Sequence, residues 1–280
     1  GAVLDKPVLL LHHLTPGGET VASHPRVLVL AGANSQANIV EAWLGPDSAV
    51  YLRNSVTELV TGEGAVLEYV RLEMEGDQAY HFGAFHARHG RSSTLAVHTI
   101  LLGGNLVRSE VGVVLDGEGA SATLNGLYLA KGRQHMDNYT TLDHARPHAT
   151  SLELYKGLLD GHSEAVFHGR IIVRPEAQKT DAIQRNKNLL LSRDAVINTK
   201  PQLEIYADDV RCTHGATVGQ VDADAVFYLR SRGIGHQEAR RLLTLAFAQE
   251  ITDRVQPPAL REHLAEELLK RLDDPVGVTP

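Results

Sequence analysis

Cysteine is almost absent from this sequence of 280 residues, and aromatic residues are scarce. The single cysteine, Cys212, excludes a disulfide within the chain, and a reducing compartment agrees with that composition. With only five phenylalanines and one tryptophan, a core must be built mainly from Val, Leu, Ile and Ala. Cores of this composition favour thin packing between β-sheets.

The sequence also lacks an excess of basic residues and long apolar runs. Its formal net charge is -7, so no surplus of Lys and Arg is available to replace the counterions of a nucleic acid, and none is expected as a partner. The opening run Pro7–Leu11 ends at His12, far short of the ~20 apolar residues of a membrane span. It has no basic start or cleavage pattern of a secretion signal, and we expect a cytoplasmic location.

Motifs of nucleotide and acyl-transfer chemistry are missing. No G-x-x-x-x-G-K-[ST] loop, no G-x-G-x-x-G turn between a strand and a helix, and no G-x-S-x-G elbow occurs. ATP hydrolysis would therefore have to come from a partner protein. We expect the chain itself not to be an enzyme, and to hold no permanently bound cofactor.

Turn-forming residues recur in the middle of the sequence with a step of 13 to 15 residues: Gly62, Gly76, Gly90, Gly103 or Gly104, Gly117, Gly132, Pro147, Gly161 and Pro175. Short β-branched or alternating runs lie between them, which is typical of strands and turns. A steady long period indicates a solenoid, with two steps making one coil of two facing sheets. An antiparallel sandwich with similar turn spacing is the alternative.

The C-terminal part has a helical pattern instead. Asp222 can cap a helix over Ala225, Val226, Tyr228 and Leu229 that ends at Gly233 and Gly235. A second helix is predicted with Ala239, Leu242, Leu243, Ala246, Phe247 and Ile251 on one stripe, and a third, after Pro257 and Pro258, with Leu260, Leu264, Leu268 and Leu272. We expect these helices to pack together or on the open end of the solenoid.

One long stretch carries a family resemblance. Residues 184–234 read QRNKNLLLSRDAVINTKPQLEIYADDVRCTHGATVGQVDADAVFYLRSRGI, and upstream pieces fit as well: HARPHATS at 144–151, Tyr155-Lys156-Gly157, Val166-Phe167-His168-Gly169 and Ala177-Gln178-Lys179-Thr180. From about Gly90 onward the sequence resembles the SufB/SufD family of the Suf iron–sulfur assembly system. The segment RCTHGATVG and the lone cysteine are similar to the SufD branch.

The resemblance implies a fold and a set of partners. The fold would be mainly β: a right-handed parallel β-helix of two sheets from about Val27 to Gly219, with a small helical domain after it. The domains would be residues 1–219 and 220–280. The chain would be a scaffold subunit that pairs with a SufB-like subunit and binds a SufC-like ATPase through its C-terminal helices. Family members usually carry a helical region before the β-helix, so we expect this form to be truncated or naturally short.

Cys212 and His214 are the candidate ligands for a metal or cofactor. They are two residues apart in a predicted strand, so their side chains share one face. Thiolate and imidazole bind zinc and iron–sulfur clusters, but two ligands are half of a tetrahedral set. The resemblance places the matching histidine at the SufB–SufD contact, where iron or a cluster would be held transiently. Burial of Cys212 in a core is the plain alternative. Purified alone, the chain is expected to form a two-fold dimer through 202–219.

Two histidine groups and four aspartates support rival hypotheses. The groups are His81, His86, His89 and His98, and His135, His144 and His148. They would serve a stand-alone metal-binding module, although we expect them to be solvated turn residues. Asp137, Asp143, Asp208 and Asp209 would serve a polysaccharide-acting β-helix enzyme, and the pair Asp208-Asp209 is first a turn signal.

Overall fold

The computed structural model describes residues 1–15 and 20–273, in which sixteen strands precede three helices. The elements are β1 Val8–His13, β2 Val21–Ser23, β3 Arg26–Ala31, β4 Gln36–Leu44, β5 Tyr51–Thr61, β6 Val66–Met74, β7 Ala79–His89, β8 Thr94–Leu101, β9 Leu106–Leu115, β10 Ser121–Ala130, β11 His135–His144, β12 Thr150–Leu159, β13 Glu164–Val173, β14 Asp181–Leu190, β15 Val196–Ile205, β16 Arg211–Gly219, α1 Ala223–Ser231, α2 His236–Thr252 and α3 Pro258–Asp273.

The strands form two parallel sheets that share the coils of a solenoid of about seven turns. Sheet A has the order β1-β4-β6-β8-β10-β12-β14-β16, and sheet B runs from β2 and β3 through β5 to β15 over the odd-numbered strands. Residues in register on neighbouring strands of sheet A are 27 to 31 positions apart, as between Thr94 and Ser121 or Thr150 and Asp181. This confirms the predicted solenoid and its half-coil step and excludes the antiparallel sandwich.

The solenoid begins earlier than predicted. The sequence placed its start near Val27, but β1 already pairs with β4 in parallel, with Val8 opposite Ile39 and His13 opposite Leu44. Sequence analysis missed this first strand because its residues, VLLLHH, do not alternate between apolar and polar. Most of its side chains are also exposed.

Every second side chain of a strand points into the solenoid, and these side chains fill its interior. Inward-facing residues such as Leu67, Leu95 and Ala122 lie in register on consecutive strands and are fully buried. Burial of each leucine contributes about 1.5–3 kcal/mol relative to exposure. Some of the regularly spaced glycines have a positive φ, as Gly132 does at 58°. Others lie close to the preceding turn, as at Gly76, where a Cβ atom would lie 2.1 Å from a backbone oxygen. These two constraints explain the glycine spacing.

The predicted helices are present and pack together, α1 on α2 and α2 on α3, which is the first of the two predicted arrangements; they do not cover an end of the solenoid. Helices α2 and α3 pack on the outer face of sheet A, where Leu72, Ile100 and Leu158 join Ile251 and Leu264 in a second buried cluster. This face is apolar in sequence and would otherwise be exposed to water. Because these helices share a core with sheet A, the division into domains 1–219 and 220–280 stays a prediction, and residues 274–280 lie outside the described part.

The stripe of α3 and the start of α1 are confirmed, whereas Tyr228 of the predicted α1 helix is 57% exposed. Asp222 caps α1 through its side chain, and the leucines at 264 and 268 of α3 are fully buried. The stripe of α2 was partly wrong: Leu242 is 37% exposed and Ala246 is exposed, whereas Thr244 and Ala248 are buried. The helix is rotated because its contact face is set by small residues that approach the sheet closely.

The segment Tyr155-Lys156-Gly157 shows how one strand serves both faces of sheet A. Tyr155 points inward and packs against Phe167 with ring centroids 5.2 Å apart. Lys156 points outward, pairs with Glu250, donates to the carbonyl oxygen of Phe247 at 2.9 Å and lies 4.0 Å above its ring. Strand β12 is thereby fixed to α2 through a buried cation.

Candidate functional site

The last strand of sheet A holds both predicted site residues at the C-terminal end of the solenoid. Strand β16 pairs with β14 along one edge, and among the described strands none pairs with its other edge. Cys212 is opposite Ala182 and His214 is opposite Gln184. Ala182 and Gln184 are buried inward-facing residues, so Cys212 and His214 share the inward face, as predicted.

The two candidate ligands differ in environment. Cys212 is half-buried and packs against the interior apolar cluster, whereas His214 is exposed. Burial, together with the nearby Asp181 carboxylate, raises the pKa of the Cys212 thiol. A metal that bound there would have to displace this proton, because the thiolate is the ligand.

One chain does not complete a metal site at this end. Over residues 1–15 and 20–273, no group of three or more His, Cys, Asp or Glu side chains is arranged to hold a metal ion. Cys212 and His214 therefore offer two ligands at an unpaired strand edge. Metal binding by this pair stays a prediction.

A buried polar row lies directly behind this edge. The inward-facing residues Gln184, Asn186 and Asn188 of β14 are all almost completely inaccessible. The Gln184 Nε2 atom donates to Glu153 Oε2 at 2.7 Å, and Asn188 Nδ2 donates to Asn186 Oδ1 at 2.6 Å. Burial raises the pKa of Glu153 to about 7, against the lowering effect of Thr140 and Gln184. Sequence analysis missed this row, although the polar residues alternate at the positions that face inward on other strands.

The prediction that the two histidine groups are solvated turn residues was wrong for most members. His81, His89, His98 and His144 are buried within strands. Their ring nitrogens bond to Ser55 and Glu75, Ser93, Glu68, and Ser151 respectively, at 2.9 to 3.2 Å. Burial lowers the pKa values of His89 and His144 to about 4. These histidines are separate core groups, whereas His86 and His148 are exposed.

Three of the four candidate carboxylates of a polysaccharide enzyme are engaged in separate ion pairs. Asp137 accepts from His135 at 2.7 Å, and Asp143 accepts from two nitrogens of Arg174 at 2.6 and 2.9 Å. Asp209 pairs with Lys179 in the predicted turn between β15 and β16. These ion pairs occupy the oxygens that acid–base catalysis would need, so the arrangement does not support that hypothesis.

Helix α1 carries the most exposed aromatic pair among the described residues. Phe227 is 71% exposed and Tyr228 is 57% exposed, and Arg232 lies 5.1 Å from the centre of the Tyr228 ring. A depression of about 470 Å³ between Phe227 and His236 continues this surface. In the described part of the chain, no helix is both long and apolar enough to span a membrane.

Comparison with known proteins adds to this picture. The family model described as SUF system FeS cluster assembly, SufBD core domain, matches residues 13–247. The chain is 35% identical to an iron-sulfur cluster assembly SufBD family protein of Synechocystis over 94% of this chain and 60% of that protein. It is 34% identical to the iron-sulfur cluster assembly protein SufD of Escherichia coli (95% and 64%), and 30% identical to the chloroplastic protein ABCI7 of Arabidopsis thaliana (94% and 57%). The chain thus spans about 60% of the length of these relatives.

Proposed function

The chain belongs to the SufBD core family of the SUF system for FeS cluster assembly, and we propose from this premise that it is a non-catalytic scaffold subunit of a cytoplasmic assembly complex. It would pair with a SufB-like subunit, bind a SufC-like ATPase, and support formation of a cluster that is cargo and not a resident cofactor. The observation that carries this proposal is the half-set of ligands, Cys212 and His214, on the unpaired edge of β16.

Pairing through β16 would complete the half-set. An unpaired edge strand presents free backbone donors and acceptors to a second chain. A partner strand alongside β16 would bring its own side chains next to Cys212 and His214, and four ligands suffice for a tetrahedral iron. Both ligands lie on one face, so a single partner can meet them together.

The proposal is tested by cluster assembly with the partner subunits present. We expect His214→Ala to lose most cluster formation in a reconstituted SufB–SufC mixture and in cells that lack the native gene. The control is His162→Ala, because His162 is also exposed but lies in the turn between β12 and β13. Assembly at the wild-type level by His214→Ala, with normal complex formation, would remove the functional role of this edge.

The aromatic pair on α1 is the proposed ATPase-binding surface. Removing all residues after Gly219 would expose the apolar outer face of sheet A, so point variants give a cleaner test than a deletion. We expect Phe227→Ser with Tyr228→Ser to lower the affinity for the SufC-like ATPase at least tenfold, because aromatic anchors dominate binding energy at interfaces. Co-elution in gel filtration over a range of concentrations measures this affinity. Leu28→Ser, at an equally exposed leucine of β3, is the control and should leave binding unchanged. Equal binding by the aromatic variant would place the contact elsewhere.

Without its partner, the chain is expected to use the same edge for self-association. We expect a two-fold dimer of the purified chain by light scattering, since a self-complementary edge closes most simply in that symmetry. Thr213→Glu with His214→Glu should give monomers, because carboxylates of the two subunits would then face each other across the axis. Leu9→Arg is the control, because Leu9 lies on the strand at the opposite edge of sheet A, and this variant should remain dimeric. A monomeric wild type, or a dimer that survives the first variant, contradicts the proposed interface.

A further inference from the structure

Three polar residues lie in register beneath the C-terminal end of the solenoid. Glu153 of β12 is opposite Gln184 of β14, and Gln184 is opposite His214 of β16. Neighbouring strands are about 4.8 Å apart, so each side chain stacks on the next one along this row. The row leads from the exposed edge two strands into the interior.

The Gln184 amide is held in one place. Gln184 and Glu153 are both inaccessible to solvent, and Gln184 Nε2 donates to Glu153 Oε2 at 2.7 Å. On the opposite sheet, Gly169 leaves the space that the amide fills, because a Cβ atom there would lie 2.4 Å from Nε2. The bond to the carboxylate sets which end of the amide is nitrogen and which is oxygen.

This arrangement leaves an acceptor without a donor. The Gln184 Oε1 atom is buried and has no hydrogen-bond partner among the described residues. A buried acceptor without a partner destabilises the folded state, because it has given up its hydrogen bond to water. The residue opposite Gln184 on the next strand, towards the open end, is His214, and one ring nitrogen of a neutral histidine donates a hydrogen bond while the other accepts.

We propose that Gln184 is a positioning residue for His214: held by Glu153, it presents its oxygen to one imidazole N–H and so leaves the other ring nitrogen free as a ligand. Metal-binding histidines generally donate their second ring nitrogen to such an acceptor, which fixes the tautomer and the ring orientation. The inference deepens the proposed function, because it assigns the group that prepares His214 to bind metal. It needs no metal to be tested.

The test is the tautomer of His214, measured by ¹⁵N NMR of histidine-labelled chain at a fixed pH where the ring is neutral. His214→Ala identifies the signals. In the wild type, we expect the tautomer ratio to depart about fivefold from that of a blocked histidine peptide, the ratio that a hydrogen bond of about 1 kcal/mol gives. Gln184→Leu should return the ratio to the peptide value.

Two further variants make the result specific. Asn186→Leu removes an equally buried amide two residues along β14, opposite Ala216 instead of His214, and should leave the tautomer ratio unchanged. Glu153→Gln keeps the shape but removes the fixed acceptor, so it should move the ratio in the same direction as Gln184→Leu. If Gln184→Leu does not fold, Glu153→Gln replaces it as the test variant.

The outcomes separate this inference from the proposed function. A wild-type ratio equal to the peptide value, a ratio unchanged by both Gln184→Leu and Glu153→Gln, or one changed equally by Asn186→Leu would overturn the positioning role. None of these results depends on cluster assembly. Conversely, if His214→Ala assembles clusters normally, the proposed function fails even where the tautomer result holds.

Discussion

Replacing Arg71 with leucine is expected to lower the free energy of unfolding by about 3–5 kcal/mol, as measured by denaturant titration at about pH 8. Arg71 is almost completely buried inside the first coils of the solenoid. Its Nη1 atom donates to Ser109 Oγ at 2.9 Å, and its Nη2 atom lies 3.5 Å from Glu73 Oε1. The guanidinium also lies 5.6 Å from the centre of the Trp43 ring.

The expected loss is large because Arg71 balances buried negative charge. Burial raises the pKa of Glu73, and the His81 and Arg71 groups counteract that rise. At Glu41, burial is outweighed by hydrogen bonds from His12 and Tyr69 and by the Arg71 charge, which together lower its pKa. Leucine at position 71 would leave these carboxylates in a low-dielectric interior without this cation.

The pH dependence of the loss distinguishes lost charge balance from lost packing. Without Arg71, Glu73 should take up a proton more readily, which relieves the buried charge as the pH falls. We therefore expect a smaller loss at about pH 5 than at about pH 8. A loss that is equal at both values would indicate a packing defect instead.

Arg88→Leu is the matched control for this experiment. Arg88 also pairs with a carboxylate, Asp116, but it is 69% exposed on the outer face of the solenoid. Exposed ion pairs contribute about 0–1 kcal/mol. Losses of similar size for both arginines would contradict a special role for the buried one.

These buried charges also show what could and could not be predicted from the sequence. Turn spacing predicted the coil length, because a solenoid repeats its turns and needs glycine where φ is positive, as at Gly132, or where the preceding turn lies close, as at Gly76. The inward-facing Arg71 and Glu73 follow Tyr69 at every second position, a pattern that is visible in sequence but is normally taken as a solvent-exposed face. Only the pairing across coils shows that their partners are inside.

The candidate site was likewise predictable from the sequence only in part. The spacing of Cys212 and His214 predicts a shared face because it depends only on strand geometry. The roles of Gln184 and Glu153 depend on register between residues about 30 positions apart, which the local pattern does not fix. The rotation of α2 was missed for a similar reason, because sheet contacts and not average hydrophobicity decide which residues it buries.

Acid sensitivity is the second large expected effect, and it arises from two buried histidines. Burial lowers the pKa values of His89 and His144 from 6.5 to about 4, so the unfolded chain binds protons that the folded chain does not. Stability is then fully present above about pH 6.5 and is lost as the pH falls towards 4. Between pH 7 and pH 4.5 each histidine contributes a loss of about 2.5 kcal/mol, and the pair about 5 kcal/mol.

Glu153 acts in the opposite direction over the same range. Its pKa is raised to about 7, so the folded chain binds its proton first, and this group adds stability as the pH falls from 7 to 4.5. The measured curve of the wild type combines both effects. The comparison must therefore be made between variants at each pH and not from the wild-type curve alone.

The pair of substitutions His89→Asn and His144→Gln isolates the histidine effect. His89 bonds to Ser93 through Nδ1 and His144 bonds to Ser151 through Nε2, and the two amides place a polar atom near each of those nitrogens without titrating. We expect the double variant to lose about 5 kcal/mol less stability than the wild type between pH 7 and pH 4.5, by urea titration at several pH values, whatever its stability at neutral pH. His86→Asn, on the exposed face of the same strand as His89, should follow the wild type. Parallel curves for the double variant and the wild type would show that these histidines are not the source of acid sensitivity.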